Sequence, residues 1–151
     1  MANTQAMCTS FKGELLTGTH NFGTGVIRAS TTADSFKAAL YLSSATINAS
    51  TTAYTATGEV TGTNYSAGGV AIGAWNAPTT TGTTGFTTPT ASISYPTVTL
   101  TTAFNCVLIY NSTQSNKAVS VHTFGDQTVT AGTFTLTMPT NDASNALIRL
   151  A

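Results

Sequence analysis

Charge is the scarcest thing in this sequence. Five Lys or Arg and five Asp or Glu are scattered singly through 151 residues, 7% of the chain, where about a quarter is usual in soluble domains. No basic cluster exists, so nothing supports a phosphate-binding footprint, and no nucleic-acid partner is expected. Cysteine is nearly as scarce. Cys8 and Cys106 are the only two; they could form one bridge but make no disulfide framework. Cys106 lies in the most apolar run and reads as a buried, inert thiol. The first residues carry neither a basic n-region nor an apolar h-region, so no secretory signal is expected. No run approaches the length of a membrane span, so no membrane partner is expected either. Helical periodicity of useful length and repeats at a fixed spacing are both missing, which argues against solenoids and propellers.

Catalytic and metal-binding patterns are missing too. A base needs an orienting partner and a nucleophile nearby, and His122 has no such motif around it; a packed or interfacial histidine is the expectation. His20, between Thr19 and Asn21, reads as a residue that caps or hydrogen-bonds its own loop. No close-spaced set of His, Cys, Asp and Glu suggests a metal, and Asp126 and Asp142 read as turn residues. Gly23-x-Gly25 and Gly68-Gly69 lack the strand-to-helix setting of a phosphate loop. Asn48, Asn64 and Asn111 begin glycosylation sequons, which a chain this rich in Ser and Thr contains by chance. The sequence therefore offers no candidate catalytic, cofactor-binding or metal-ligating residue.

Threonine fills the space that charge leaves. It suits the half-buried surface of a strand and keeps a hydroxyl for solvent or a partner. A neutral chain lacks the self-repulsion that keeps proteins monomeric, and interface cores are poor in charge. Life in an assembly is the favoured reading.

The clearest structural signal spans residues 98–124. Cys106, Val107, Leu108, Ile109 and Tyr110 form an apolar run that reads as a strand buried on both faces. A polar, turn-prone stretch (111–117) follows, and then the alternation of Val119, Val121 and Thr123 against Ser120, His122 and Phe124. This is a β-hairpin. Further strands are expected at 36–42, 70–75, 133–138 and 146–150, with one or two more over 92–94 and 96–101, a turn at Gly125-Asp126 and a helical turn near 51–54. Residues 11–16 read as a helical turn or a short strand, 19–25 as a loop, and 79–90 as an exposed loop or edge ribbon. Phe36, Leu40, Leu108, Tyr110, Phe134 and Leu136 are the candidate core. The sum is an all-β, single-domain antiparallel β-sandwich, jelly-roll-like, with long Thr/Gly/Ser-rich loops. Residues 1–10 are read as a flexible N-terminal arm and 11–151 as one β domain.

Several short motifs recur in a known class. They are Phe11-Lys12, His20-Asn21-Phe22-Gly23, Phe36-Lys37-x-Ala39-Leu40-Tyr41, Ala53-Tyr54 and Gly58-Glu59-Val60 in the first half. The second half adds Leu108-Ile109-Tyr110-Asn111-Ser112, Ser115-Asn116-Lys117-Ala118-Val119, Phe124-Gly125 and Pro139-x-Asn141-Asp142-Ala143-x-Asn145-Ala146-x-Ile148-Arg149. With them the chain resembles small structural proteins of tailed bacteriophages. The resemblance implies a non-enzymatic virion protein, a capsid decoration (cement) protein made in the host cytoplasm. It would sit on the capsid exterior as a homo-oligomer, a dimer or trimer, and bind the major capsid protein shell. A neck, tail or fibre subunit is the first alternative. The second is a surface carbohydrate-binding module using Trp75, Tyr54, Tyr65 and Tyr95 as a stacking platform.

Overall fold

The polar stretch after Tyr110 turns tightly because Asn111 caps it. Its side-chain oxygen accepts from the amides of Thr113 and Gln114, both at 3.1 Å, the local bonding that makes Asn a turn former. Ser115 and Asn116 then take left-handed φ values of 53° and 58°. The two flanking strands are far longer than their periodicity suggests. A computed structural model describes residues 3–16, 18–23 and 32–151. Its elements are β1 (Ala6–Met7), α1 (Thr9–Leu16), β2 (Phe36–Leu42), β3 (Val70–Ile72), β4 (Thr79–Thr81), β5 (Thr84–Thr87), β6 (Ile93–Asn111), β7 (Lys117–Leu136) and β8 (Ile148–Leu150). Every strand pairing is antiparallel, in a five-stranded sheet ordered β1-β7-β6-β2-β3 and a three-stranded sheet ordered β4-β5-β8. The architecture is all-β and sandwich-like.

The long hairpin supplies its own second layer. Phe134 is paired with Tyr95 across the ladder, yet its ring lies edge-to-face with Phe104 at 5.0 Å. A straight strand from Tyr95 to Phe104 would extend about 30 Å. The ribbon must therefore bend back on itself, and three register shifts between Tyr95 and Phe104 mark where. Thr97 and Ala131 take positive φ along this bend, as bulged strands allow. The distal end is fastened by the Tyr95 hydroxyl, which donates to the carbonyl of Ala38 in β2 at 2.8 Å. Val98, Leu100, Phe104, Leu108 and Ile109 are buried in the core, together with Phe36 and Leu40 from β2.

Several expectations are corrected. Gly125-Asp126 opens no turn; both lie inside β7, where the Asp126 carboxylate accepts from Ser43 Oγ and Asn105 Nδ2. Those two donors replace the backbone bonds that would have made Asp a turn former. The stretches 92–94 and 96–101, open as one strand or two, form one: from Ile93 onward both lie in β6, whose ladder absorbs Pro96 and Thr97 in a bulge. The expected strand 133–138 is the end of β7, and the one at 70–75 stops at Ile72. Near 51–54 there is no helical turn: Ala53 bridges to Lys117, and the Tyr54 amide donates to Asn116 O. Phe134 and Leu136 are half-buried, since their side chains close the distal layer at its margin.

Residues 11–16 form the body of a helix rather than a strand, and 79–87 make a β4–β5 hairpin whose first strand is exposed. The segment read as an arm lies along the sheet. Ala6 and Met7 pair with Val121 and Ser120. Asn3 donates to Leu42 O and accepts from the Ile47 amide, and Cys8 is fully buried. Met1 and Ala2 of that arm, and the part of the 19–25 loop beyond Gly23, lie outside the described residues.

Candidate functional site

A surface cleft opens between α1 and the three-stranded sheet. Its volume is about 510 Å³, and it is walled by Phe11 and Leu15 of α1, by His20, Asn21 and Phe22, by the β4–β5 hairpin and by Ile148 and Leu150 of β8. This size is that of a small-molecule or side-chain site. The walls are mainly apolar because aromatic rings pack behind them. Phe22 stacks on Phe36 at 4.6 Å and meets Trp75 edge-on at 4.9 Å, while Phe11 touches His20 at 4.8 Å. At the rim, Leu150 is the exposed large hydrophobic side chain of the described residues.

One polar corner interrupts the walls. Asn111 Nδ2 stands 3.1 Å from His20 Nδ1 and donates to Asp34 Oδ2 at 2.8 Å. The Asn21 amide donates to the same carboxylate oxygen at 3.0 Å, and Asn21 Nδ2 donates to Thr32 O. Asn21 is 3% exposed, and its side-chain oxygen is buried without a hydrogen-bond partner. A buried acceptor left open costs about 1–3 kcal/mol, which is reason to ask what satisfies it.

A second polar group lies deep in the protein. Glu59 is buried, and its carboxylate accepts from Tyr54 at 2.6 Å, Tyr65 at 2.8 Å and the Gly68 amide at 2.8 Å. All five tyrosines of the chain serve this region. Tyr41 donates to Thr55 O and Tyr110 to Gly68 O, as Tyr95 does to Ala38 O. Burial raises the phenol pKa of Tyr41, Tyr65, Tyr95 and Tyr110, and burial with the Glu59 hydrogen bond pushes Tyr54 up to about 12. These hydroxyls are therefore held as neutral donors. They fasten the 43–69 connection to the sheet, and nothing in the arrangement exposes the carboxylate to a substrate.

The remaining residues singled out by the sequence fall in separate places. His20 hydrogen-bonds within its corner, alongside Asn111. His122 Nε2 is 2.9 Å from Ser120 Oγ, in a hollow of about 240 Å³ that also takes in Met7, Leu147 and Arg149, and burial lowers its pKa to about 4. Asp142 is a turn residue: it accepts from Thr140 Oγ1 and from the Ser144 and Asn145 amides, bonds that hold its pKa well below the usual carboxylate range. Among the described residues no three His, Cys, Asp or Glu side chains are placed to share a metal ion, and Cys8 and Cys106 are both free thiols. Asn111 is fully buried, so its sequon offers no acceptor at the surface. Trp75 and Tyr95 are buried, and Tyr54 and Tyr65 point their hydroxyls at Glu59; the four do not form an exposed stacking platform.

Sequence reasoning missed Asn21, Asp34 and Glu59. The signal for Glu59 was available: an acid in a chain nearly free of charge, flanked by tyrosines at positions 54 and 65. The open oxygen of Asn21 has no sequence signature. Among the described residues no helix is long and apolar enough to cross a membrane. No protein-family model matches the chain, and comparison with curated proteins and with solved structures yields no match.

Proposed function

We propose that this chain is a non-enzymatic structural protein of a tailed-phage virion, a decoration protein that binds the major capsid protein and stabilises the capsid from outside, as a dimer or trimer. One observation carries the reading. Several of the motifs behind the phage resemblance, far apart in sequence, meet toward the closed end of the β6–β7 hairpin. Phe36 and Tyr41 lie in β2, which pairs with residues 104–111. Ala53 bridges to Lys117, Tyr41 bridges to Glu59, and His20 and Asn21 join Asn111 around Asp34. Shared motifs that build one structural unit support shared ancestry of the scaffold more than scattered matches would. The jelly-roll form of the sandwich belongs to the same reading, since the eight antiparallel strands in two sheets among the described residues match the strand number of such domains. A low-charge surface rich in hydroxyls suits adhesion at many equivalent sites.

The test is the number of copies per particle, measured by quantitative mass spectrometry of purified virions against the major capsid protein. A one-to-one or other simple ratio is the expected result. A small fixed number per particle would reassign the chain to the neck, tail or fibres, and absence from particles would overturn the virion reading. The carbohydrate reading has lost its exposed aromatic set, and a glycan array without saturable binding would close it.

A further inference from the structure

We propose that the seam between β1 and β7 is an acid-operated latch, with His122 as its trigger and the N-terminal segment 3–8 as the part that detaches while the rest of the fold stays closed. The register places the trigger. Ala6 stands opposite Val121 and Met7 opposite Ser120, so the next rung sets Gln5 against His122, and directly opposed residues share a face. Gln5, Met7, Ser120 and His122 accordingly gather on one side of the seam. There they line the hollow of about 240 Å³ that Leu147, Ile148 and Arg149 close from β8.

Nothing in that hollow offsets the charge of an imidazolium. β1 brings Gln5, Ala6 and Met7, all uncharged, and β6 brings Val107, the rung partner of His122. From β7 itself come Val121 and Ser120, whose hydroxyl is a neutral partner 2.9 Å from Nε2. β8 contributes the one charged side chain among the described residues that line the hollow, and Arg149 is a cation. Asp142, in the turn before β8, directs its carboxylate to Thr140, Ser144 and Asn145. A proton on His122 would therefore add charge of the same sign to a half-buried site without a counter-charge.

The relief lies on the N-terminal side. β1 meets β7 at two rungs, whereas β8 is held by three rungs on β5. Beyond its rungs, segment 3–8 is fastened by the Asn3 side chain, by the Thr4 amide on Ile47 O and by the Cys8 amide on Val119 O. With that segment detached, His122 faces water and regains its ordinary pKa of 6.5, against about 4 when burial closes over it. The open form then binds the proton more tightly and gains population as pH falls. The inference is independent of the virion reading.

The experiment times the labelling of Cys8 and Cys106 in the full chain, from pH 8 to pH 5, with dithiodipyridine, a disulfide reagent that still reacts in acid. Peptide mass spectrometry separates the two thiols, and each rate is divided by that of the same thiol in the guanidinium-unfolded chain at the same pH. Cys8, fully buried and next in the chain after β1, should label about thirtyfold faster at pH 5 than at pH 8, the factor that the two pKa values impose on the open fraction. Cys106, inside β6, should keep its protection. His122→Gln should abolish the acid rise. Gln5→Glu, which sets a carboxylate opposite the imidazole without touching the core, should shrink it. A Cys8 rate that does not rise in acid would overturn the proposal, as would an equal rise at Cys106, the mark of global unfolding. So would an undiminished rise in either variant. Loss of amide-exchange protection at residues 148–150 while Cys8 stays closed would place the opening at β8 and overturn it too.

Discussion

The amide of Leu40, in the middle of β2, donates to the phenolic oxygen of Tyr65 at 2.9 Å instead of to a neighbouring strand. On one side of this point β2 is paired with Glu59 and Val60, and on the other with β3. Between them no backbone acceptor stands opposite, and the tyrosine supplies it while donating onward to Glu59. Leu40 is fully buried, so its amide has no water to turn to. Tyr65→Phe should therefore cost about 2–4 kcal/mol, an orphaned amide plus a bond to a charged acceptor. Tyr54→Phe, which removes a bond to Glu59 without orphaning the Leu40 amide, should cost about 1–2 kcal/mol at its half-buried site. Urea unfolding of the two variants gives the comparison, and equal losses would contradict the bridging role.

His122 makes stability depend on acid. Burial depresses its folded pKa to about 4 from an ordinary 6.5. Between those values the unfolded chain binds more protons than the native one, so stability rises with pH there and is lost as pH falls. Unfolding free energy should decline between pH 6.5 and 4, and His122→Gln should flatten that decline. An unchanged pH slope in the variant would assign the effect to other groups.

Gly69 has a role that no other residue can fill. Its φ is +70°, and a Cβ there would come within 1.8 Å of the Ala38 carbonyl oxygen, the same oxygen that anchors Tyr95. Gly69→Ala should destabilise by about 3 kcal/mol or more, from strain and displaced backbone together. Gly125→Ala is the control, since nothing lies within 4 Å of its Cβ position, and should change stability by about 0.5 kcal/mol or less. Thermal melts of the pair decide the matter.

The thiols should be silent in the native state. Cys8 and Cys106 are fully buried, and burial pushes the Cys106 thiol up to about 12, far from the thiolate that reacts. A chromogenic disulfide reagent should find neither cysteine at neutral pH and both after unfolding in guanidinium. Rapid labelling of the native protein would mean that the N-terminal strand opens easily.

The hairpin and β2 were legible because their signals are local: an unbroken apolar run, a polar turn and strict alternation. Leu108, Ile109 and Tyr110 could hardly be anything but core. The bend in the ribbon was not legible. Pro96, Gly125 and Asp126 carry local signals of a strand end or turn, whereas the long ladder absorbs them without ending. The packing of Phe134 against Phe104 depends on that bend and has no periodicity of its own. The cleft was invisible for a similar reason, since α1, β5 and β8 come from the two ends and the middle of the chain. Trp75 and Tyr95 suggested a surface platform only because aromatic identity says nothing about depth.

The continuity of β6 and β7 through a single turn also orders events in time. Pairing can begin where Asn111 faces Lys117 and advance one rung after another, each new rung closing almost no additional loop. By contrast, β2 can join β6 only after the intervening 43–92 segment has been closed off, and β1 reaches β7 from more than a hundred residues away. Nucleation is therefore expected at the Asn111 turn, with the doubling of the ribbon after its ladder and the N-terminal strand last, an order that high folding φ values around the turn and φ values near zero in β1 would bear out.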